Sequence, residues 1–168
     1  MKRFLAGVML LCGQSHASFA DTDTVFQSIR HPWSSYVFVS TNMPDATLIA
    51  LAKQASVVHA VMVINGFPSG DAGWSKSQQR IREINTACCG ASPPSWQIYP
   101  QLFQQYRIVS VPSVVIAKTG GTRPQDFAKV TGDIGFGEAL KLFAQKSSYP
   151  DIRNRAAYLY QIFAKSGY

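Results

Sequence analysis

The chain has 168 residues, of which 46% are hydrophobic and 15% charged, and its formal net charge is +7. Its basic residues are dispersed along the sequence, whereas a nucleic-acid-binding surface would need a basic stripe with stacking aromatic residues. The composition therefore argues against nucleic acid as a partner. After the first 20 residues, no apolar stretch is long enough to cross a membrane.

The amino-terminal segment has the pattern of a cleavable secretory signal. Lys2 and Arg3 precede an apolar run at residues 4–12, and small residues lead up to Ala20. Because an apolar run of about ten residues is half of what a bilayer requires, export with cleavage after Ala20, or after Ala17, is favoured over a membrane anchor. The remaining chain has the length of one domain, and its 14 basic against 9 acidic residues give it a net charge of +5.

The first part of the remaining chain predicts a βαβ unit. Residues 36–39 form a β-branched and aromatic run that is typical of a buried strand. A turn and a helix at residues 45–55 follow, and residues 60–64 form a second apolar run that ends at Asn-Gly. Two buried strands that are joined by a helix predict a sheet that is at least partly parallel.

The second part of the chain predicts four helices, of which the first is mostly exposed, and a β-hairpin. These elements are a helix at residues 75–85, a short helix at 101–106, a turn into a strand within 107–118 with Pro112 at the strand start, a hairpin turn at 119–122, a strand near 127–131, a helix at 136 to roughly 145 and a last helix at 154–165. In the last helix, Ala157, Tyr160 and Phe163 are three residues apart, which predicts that they pack on one face.

This order of elements predicts an α/β fold with a mixed sheet flanked by helices and an extra C-terminal helix, and it resembles the thioredoxin fold. In that fold, a cis-proline at the entry to a strand faces the redox motif, and Pro112 stands at the matching place. Thioredoxins carry Cys-x-x-Cys at the turn after the first strand, but this chain has Ser-Thr-Asn-Met at residues 40–43. The resemblance therefore implies a thioredoxin-like domain that has no thiol at the redox position.

Four segments in order resemble the TrbC family of F-type conjugative transfer systems. They are FVSTNMPDATL at residues 38–48, IYPQLF at 98–103, VPSVV at 111–115 and VTGDI at 130–134. The resemblance implies a periplasmic pilin assembly protein of a type IV secretion apparatus, with pilin or other conjugative transfer proteins as partners. It also predicts four segments of the chain: a signal peptide at 1–20, a lead-in at 21–33, a TrbC-type domain at 34–146 and a C-terminal helix and tail at 147–168.

The expected site is a polypeptide-binding groove. Ligand sites of open α/β sheets lie outside the carboxyl ends of the strands, and the turn after the first strand and the loop before Pro112 are expected to meet there. The predicted binding residues are Ser40, Met43, Pro44, Val111 and Pro112. The function expected from the resemblance is protein binding during pilus assembly, without a cofactor.

The adjacent Cys88 and Cys89 support an alternative function, a thiol-disulfide oxidoreductase or isomerase. Neighbouring Cα atoms lie about 3.8 Å apart, which is below the usual disulfide range of about 4.4 to 6.8 Å. Three states are open: a strained disulfide between the two, a bond to another protein, or two buried thiols. A role as small apolar residues at a helix end is slightly favoured, because the pair lacks the spacer of a redox motif.

Other site chemistries find less support. After the signal, only His31 and His59 accompany the cysteines, and neither has the spacing of a metal ligand. Ser40, His59 and Asp133 have the residue types of a catalytic triad, but no Gly-x-Ser-x-Gly motif is present. No metal site is therefore predicted. A binder of small molecules is a third hypothesis, for which the sequence names no ligand.

Overall fold

The computed structural model describes residues 32–66 and 71–167. The predicted signal peptide, nearly all of the predicted lead-in and His31 lie outside these residues. The elements in chain order are β1 (Trp33–Val39), α1 (Asp45–Val57), β2 (Val61–Ile64), α2 (Asp71–Cys89), β3 (Trp96–Ile98), α3 (Pro100–Gln105), β4 (Ser113–Lys118), β5 (Phe127–Thr131), α4 (Phe136–Lys146) and α5 (Pro150–Lys165).

The five strands form one mixed sheet in the order β3-β2-β1-β4-β5. The central strand β1 pairs in parallel with β2, where Val37 is opposite Met62, and antiparallel with β4, where Val37 is opposite Val114. Strand β3 continues the parallel side, and β5 pairs antiparallel with β4. The predicted fold class, a mixed α/β sheet flanked by helices with an additional C-terminal helix, is confirmed.

The larger core lies on one face of the sheet, where alternate strand residues point toward four helices. Val37, Met62 and Ile116 are fully buried there. The side chains that cover them come from α1, α2, α4 and α5, and they include Leu51, Ile84, Leu140 and Leu159. This face holds most of the buried apolar surface of the domain.

The opposite face has a smaller core, which is covered largely by the short helix α3. Phe38 of β1 lies there, edge-on to Phe103 with 4.9 Å between the ring centroids. Tyr106 is 1% exposed and packs edge-on against Phe127 at 5.0 Å. Burial, together with the nearby Tyr36, raises the pKa of Tyr106, so this phenol stays neutral and serves as packing. The aromatic layer fixes α3 and the loop that follows it.

Helix α5 completes the larger core. It buries Ile152, Ala156, Leu159 and Phe163, whereas Tyr160 is exposed and Ala157 is only partly buried. The predicted face of Ala157, Tyr160 and Phe163 is therefore wrong by one position for two of its three members. Helix α5 lies close to α4, because a Cβ atom added at Gly137 would clash with the Phe163 ring.

Several elements begin earlier than predicted, among them β1 at Trp33 and α5 at Pro150. Helix α2 begins at Asp71 and continues through Cys89, beyond the predicted 75–85. Strand β3 was not predicted, because three residues are too few to show a period. Within the described residues, no helix has both the length and the apolar character that crossing a membrane requires.

The connection between β4 and β5, residues 119–126, is held by an ion pair. Arg123 donates to the Asp126 carboxylate from Nε at 2.8 Å and from Nη2 at 3.2 Å. These hydrogen bonds lower the pKa of Asp126. A carboxyl group whose pKa is lower in the folded than in the unfolded state stabilises the fold above its unfolded pKa, about 3.9, and loses that effect as the pH falls through the folded value.

We therefore expect Asp126→Asn to lower the melting temperature at pH 7. The difference from wild type should shrink as the pH falls below about 4, where the unfolded state takes up a proton first, and should disappear below the lowered pKa of the folded Asp126. Thermal unfolding followed by circular dichroism at several pH values measures this. Asp133→Asn is the control, since Asp133 is exposed and makes no side-chain hydrogen bond within the described residues. An equal loss for Asp126→Asn at pH 7 and pH 3 would contradict the expectation.

Candidate functional site at the cis-proline groove

A groove of about 270 Å³ opens at the carboxyl ends of β1 and β2. It lies between the ends of these strands and the loop at residues 107–112, which connects α3 to β4. Its lining includes Ser40, Asn65, Phe103, Ile108, Val109 and Val111. The sheet topology places these residues together, because parallel strands end at the same edge and β4 begins at that edge.

The loop enters β4 through a cis peptide bond between Val111 and Pro112, as the sequence predicted. The carbonyl oxygen of Pro112 accepts a hydrogen bond from the Gly132 amide at 3.0 Å. The fully buried Ser113 hydroxyl donates to the Ser110 carbonyl at 2.7 Å and lies 2.6 Å from the Thr131 hydroxyl. These contacts hold the end of the loop against β5.

The beginning of the loop is held by a lysine from β5. The ammonium group of Lys129 donates to the carbonyls of Tyr106 at 3.0 Å and Arg107 at 2.6 Å. These carbonyls lie at the end of α3, where the helix leaves acceptors without partners and a cation is favourable. Since both ends of the loop are held, its middle is presented in a defined position.

The middle of the loop offers both an apolar side chain and free backbone groups. Val109 is 93% exposed. Within the described residues, no hydrogen bond reaches the backbone of Val109 or Val111. Free N–H and C=O groups beside an exposed apolar side chain are what an extended polypeptide needs for strand-like pairing.

The other side of the groove is the turn after β1, and Arg80 of α2 holds it. The Arg80 guanidinium donates to the carbonyls of Thr41 and Met43, the second at 2.7 Å, and to the Asp45 carboxylate, from Nε at 2.8 Å. Only a planar, forked donor reaches three acceptors in this arrangement. Sequence reasoning missed both Arg80 and Lys129, because neither is near the groove in the sequence.

The structure brings only some of the predicted binding residues to the groove. Ser40 and Val111 line it, and the partly buried Pro112 follows Val111 directly. Met43 turns away: it packs against the larger core on the helix side, and its sulfur lies 3.4 Å from the Ser40 amide nitrogen. Pro44 is exposed and caps α1. The lip of the groove therefore consists of Ser40 on one side and Val109 and Val111 on the other.

Cys88 and Cys89 form a disulfide with each other, with an S–S distance of 1.98 Å. This is the first of the three states that the sequence left open. Both residues are partly buried at the end of α2, where Asn85 accepts a hydrogen bond from the Trp96 indole at 2.9 Å. Trp96 begins β3, so the disulfide lies where the parallel strands begin and the groove lies where they end. The two candidate sites are at opposite ends of the sheet.

The described residues contain no group of three or more His, Cys, Asp or Glu side chains that could hold a metal ion. The triad residue types are also separated. Ser40 follows β1 and His59 precedes β2, so the length of a parallel strand, about 13 Å for four residues, lies between them. What the groove supplies is shape, an apolar lip and backbone hydrogen-bonding groups.

The fold and the groove together define a class: a mixed α/β domain with an open groove beside a cis-proline loop and a turn without thiols. The family model of the type-F conjugative transfer system pilin assembly protein matches residues 37–143, and the chain belongs to this family. No curated protein and no solved structure gives a significant match. The family resemblance of the sequence motifs is thus confirmed, and membership implies a role in conjugative pilus assembly.

Proposed function

We propose that this protein is a periplasmic assembly factor for the conjugative pilus and acts by binding an extended polypeptide in the cis-proline groove. The domain is thioredoxin-like in this proposal, and the polypeptide is pilin or another conjugative transfer protein. The observation that carries the proposal is the lip of the groove, where the exposed Val109 side chain stands beside backbone groups that have no hydrogen bond to any other described residue.

Three features support a binding role. The groove lies at the carboxyl ends of the parallel strands, which is the usual ligand site of open α/β sheets. Both ends of its loop are held by buried or charged groups, so little entropy is lost when a ligand binds. The family is described as a pilin assembly protein of a conjugative transfer system, and a periplasmic role in this assembly agrees with the export signal that the first 20 residues predict.

The oxidoreductase alternative has less support. A redox site that acts on polypeptides needs its sulfur at the groove, whereas the disulfide lies at the other end of the sheet. Ser40 occupies the first position of the turn where a thioredoxin carries a thiol. The small-molecule hypothesis also has less support at this groove, because the groove is open and bordered by backbone groups rather than enclosed.

The test of the proposed function is complementation of a strain that lacks this gene. Pili are scored by electron microscopy and DNA transfer by mating. We expect the deletion to abolish both, and wild type and the Cys88→Ser, Cys89→Ser variant to restore both to similar levels. If the folded variant fails while wild type succeeds, the sulfurs are required and the redox alternative replaces the binding role. If the deletion strain still makes pili, the role in assembly is wrong.

A further inference from the structure

A second cleft, of about 620 Å³, lies at the end of the sheet opposite the groove. It is formed where β1 and β2 begin and where α5 crosses them, and its lining includes Trp33, Tyr36, Val61, Arg155 and Ile162. Its volume falls in the range of small-ligand pockets, about 300 to 1,000 Å³. None of the residues that were assigned to the cis-proline groove takes part in it.

Arg155 lines this cleft, and among the described residues it is the charged side chain there that has a buried polar atom without a hydrogen-bond partner. Its buried Nε atom has no hydrogen-bond acceptor within the described residues. The guanidinium carbon lies 5.3 Å from the centre of the Tyr158 ring. Burial lowers the pKa of Arg155, although Tyr158 opposes this. Arg155 is partly buried, and a buried N–H group without an acceptor is costly, so an anionic group from outside would complete the arrangement.

The nearby acidic residue does not supply that anion. The carboxylate of Asp151, one turn earlier in α5, accepts a hydrogen bond from Lys118 at 2.7 Å. No Asp or Glu lines the larger cleft. The positive charge of Arg155 is therefore complementary to an acidic ligand from outside.

A shallower cleft of about 440 Å³ adjoins the first and shares Trp33, Arg155 and Tyr158 with it. Arg155 thus lies at the junction of two clefts. The walls of the larger one include the apolar side chains of α5, and the smaller one is bordered by the Lys118–Asp151 pair. A small organic acid would fill one side, whereas an extended chain with its acidic group in the middle would lie along both.

We propose that these two clefts together form a second polypeptide-binding site, the Arg155 cleft, which takes an extended segment carrying an Asp or Glu next to an apolar residue. The ligand carboxylate accepts hydrogen bonds from the guanidinium of Arg155, whose planar fork matches a carboxylate. The adjacent apolar side chain of the ligand lies in the larger cleft. This site is independent of the cis-proline groove.

The test selects phage-displayed random peptides on the full chain and measures the binding of synthetic copies by fluorescence anisotropy. We expect a set of peptides that binds wild type, has an acidic residue beside an apolar one, and loses affinity about tenfold or more on Arg155→Met. Replacing the acidic residue of the peptide by its amide should cause a similar loss. Lys141→Met, which removes an exposed cation from α4, and Val109→Glu, which changes the groove, should leave this binding unchanged.

The melting temperature separates a binding role of Arg155 from a structural one. Because Arg155→Met replaces a partly buried cation with an apolar side chain, the variant should be as stable as wild type or more stable. Failure to recover any set of peptides that loses affinity on Arg155→Met, or an Arg155-dependent set without acidic residues, would overturn the proposal. A fall in melting temperature of more than about 4 °C would also overturn it, because Arg155 would then support the fold.

Discussion

The Val109→Glu variant is expected to fold normally and to fail in pilus assembly. The side chain of Val109 is 93% exposed, so its replacement removes no core contact and should leave the melting temperature within about 2 °C of wild type. A carboxylate at the lip of the groove would have to lose its hydration against an apolar ligand, which should weaken binding tenfold or more. Mating frequency and pilus counts in the complemented deletion strain are the measurements.

Leu142→Glu is the matched control for this experiment. Leu142 is also an exposed apolar residue, at 38%, but it lies on α4 and not at the groove. The same chemical change there should leave pili and mating at the wild-type level. Wild-type assembly with Val109→Glu would show that the lip does not bind the partner, whereas failure of both variants would indicate a general effect of the added charge.

Arg80→Met is expected to lower both stability and assembly. The ion pair with Asp45 contributes little, because the carboxylate is 66% exposed. The larger loss comes from the carbonyls of Thr41 and Met43, of which Thr41 is buried. Losing hydrogen bonds from a charged donor costs about 1 to 3 kcal/mol, and each kcal/mol lowers the melting temperature of a domain of this size by about 2 to 4 °C. Thermal unfolding and mating frequency measure the two effects.

Arg82→Met provides the comparison on the same helix. Arg82 is exposed, two residues further along α2, and its side chain has no hydrogen bond within the described residues. It should match wild type in both measurements. Arg80→Lys keeps the charge but not the fork, and it should recover only part of the stability. If Arg80→Met and Arg82→Met behave alike, the turn after β1 does not depend on Arg80.

The site was only partly predictable from the sequence. That Ser40 and Val111 meet follows from topology, since a βαβ unit and a proline at a strand start place both at one edge of the sheet. The inward turn of Met43 could not be foreseen, because it depends on how the start of α1 packs on the core. Arg80 and Lys129 have no signal in the sequence, because their partners lie 22 or more residues away.

The strands and helices, too, were predictable only where their own residues carry the signal. Short, continuous apolar runs predicted β1, β2 and β4, because burial on both faces leaves no alternating pattern. The start of α5 at Pro150 could have been found, since proline is favoured in the first turn of a helix. Strand β3 could not, because its pairing with β2, and not its own three residues, makes it a strand.

The contact between Gly137 and the Phe163 ring joins α4 to α5 where the region matched by the family model ends. The family model stops at residue 143, inside α4. The interior does not stop there, because Ile152, Ala156, Leu159 and Phe163 are buried in the larger core. Residues beyond the shared family region are therefore part of the same hydrophobic core, and the limit of sequence similarity is not the limit of the packed interior.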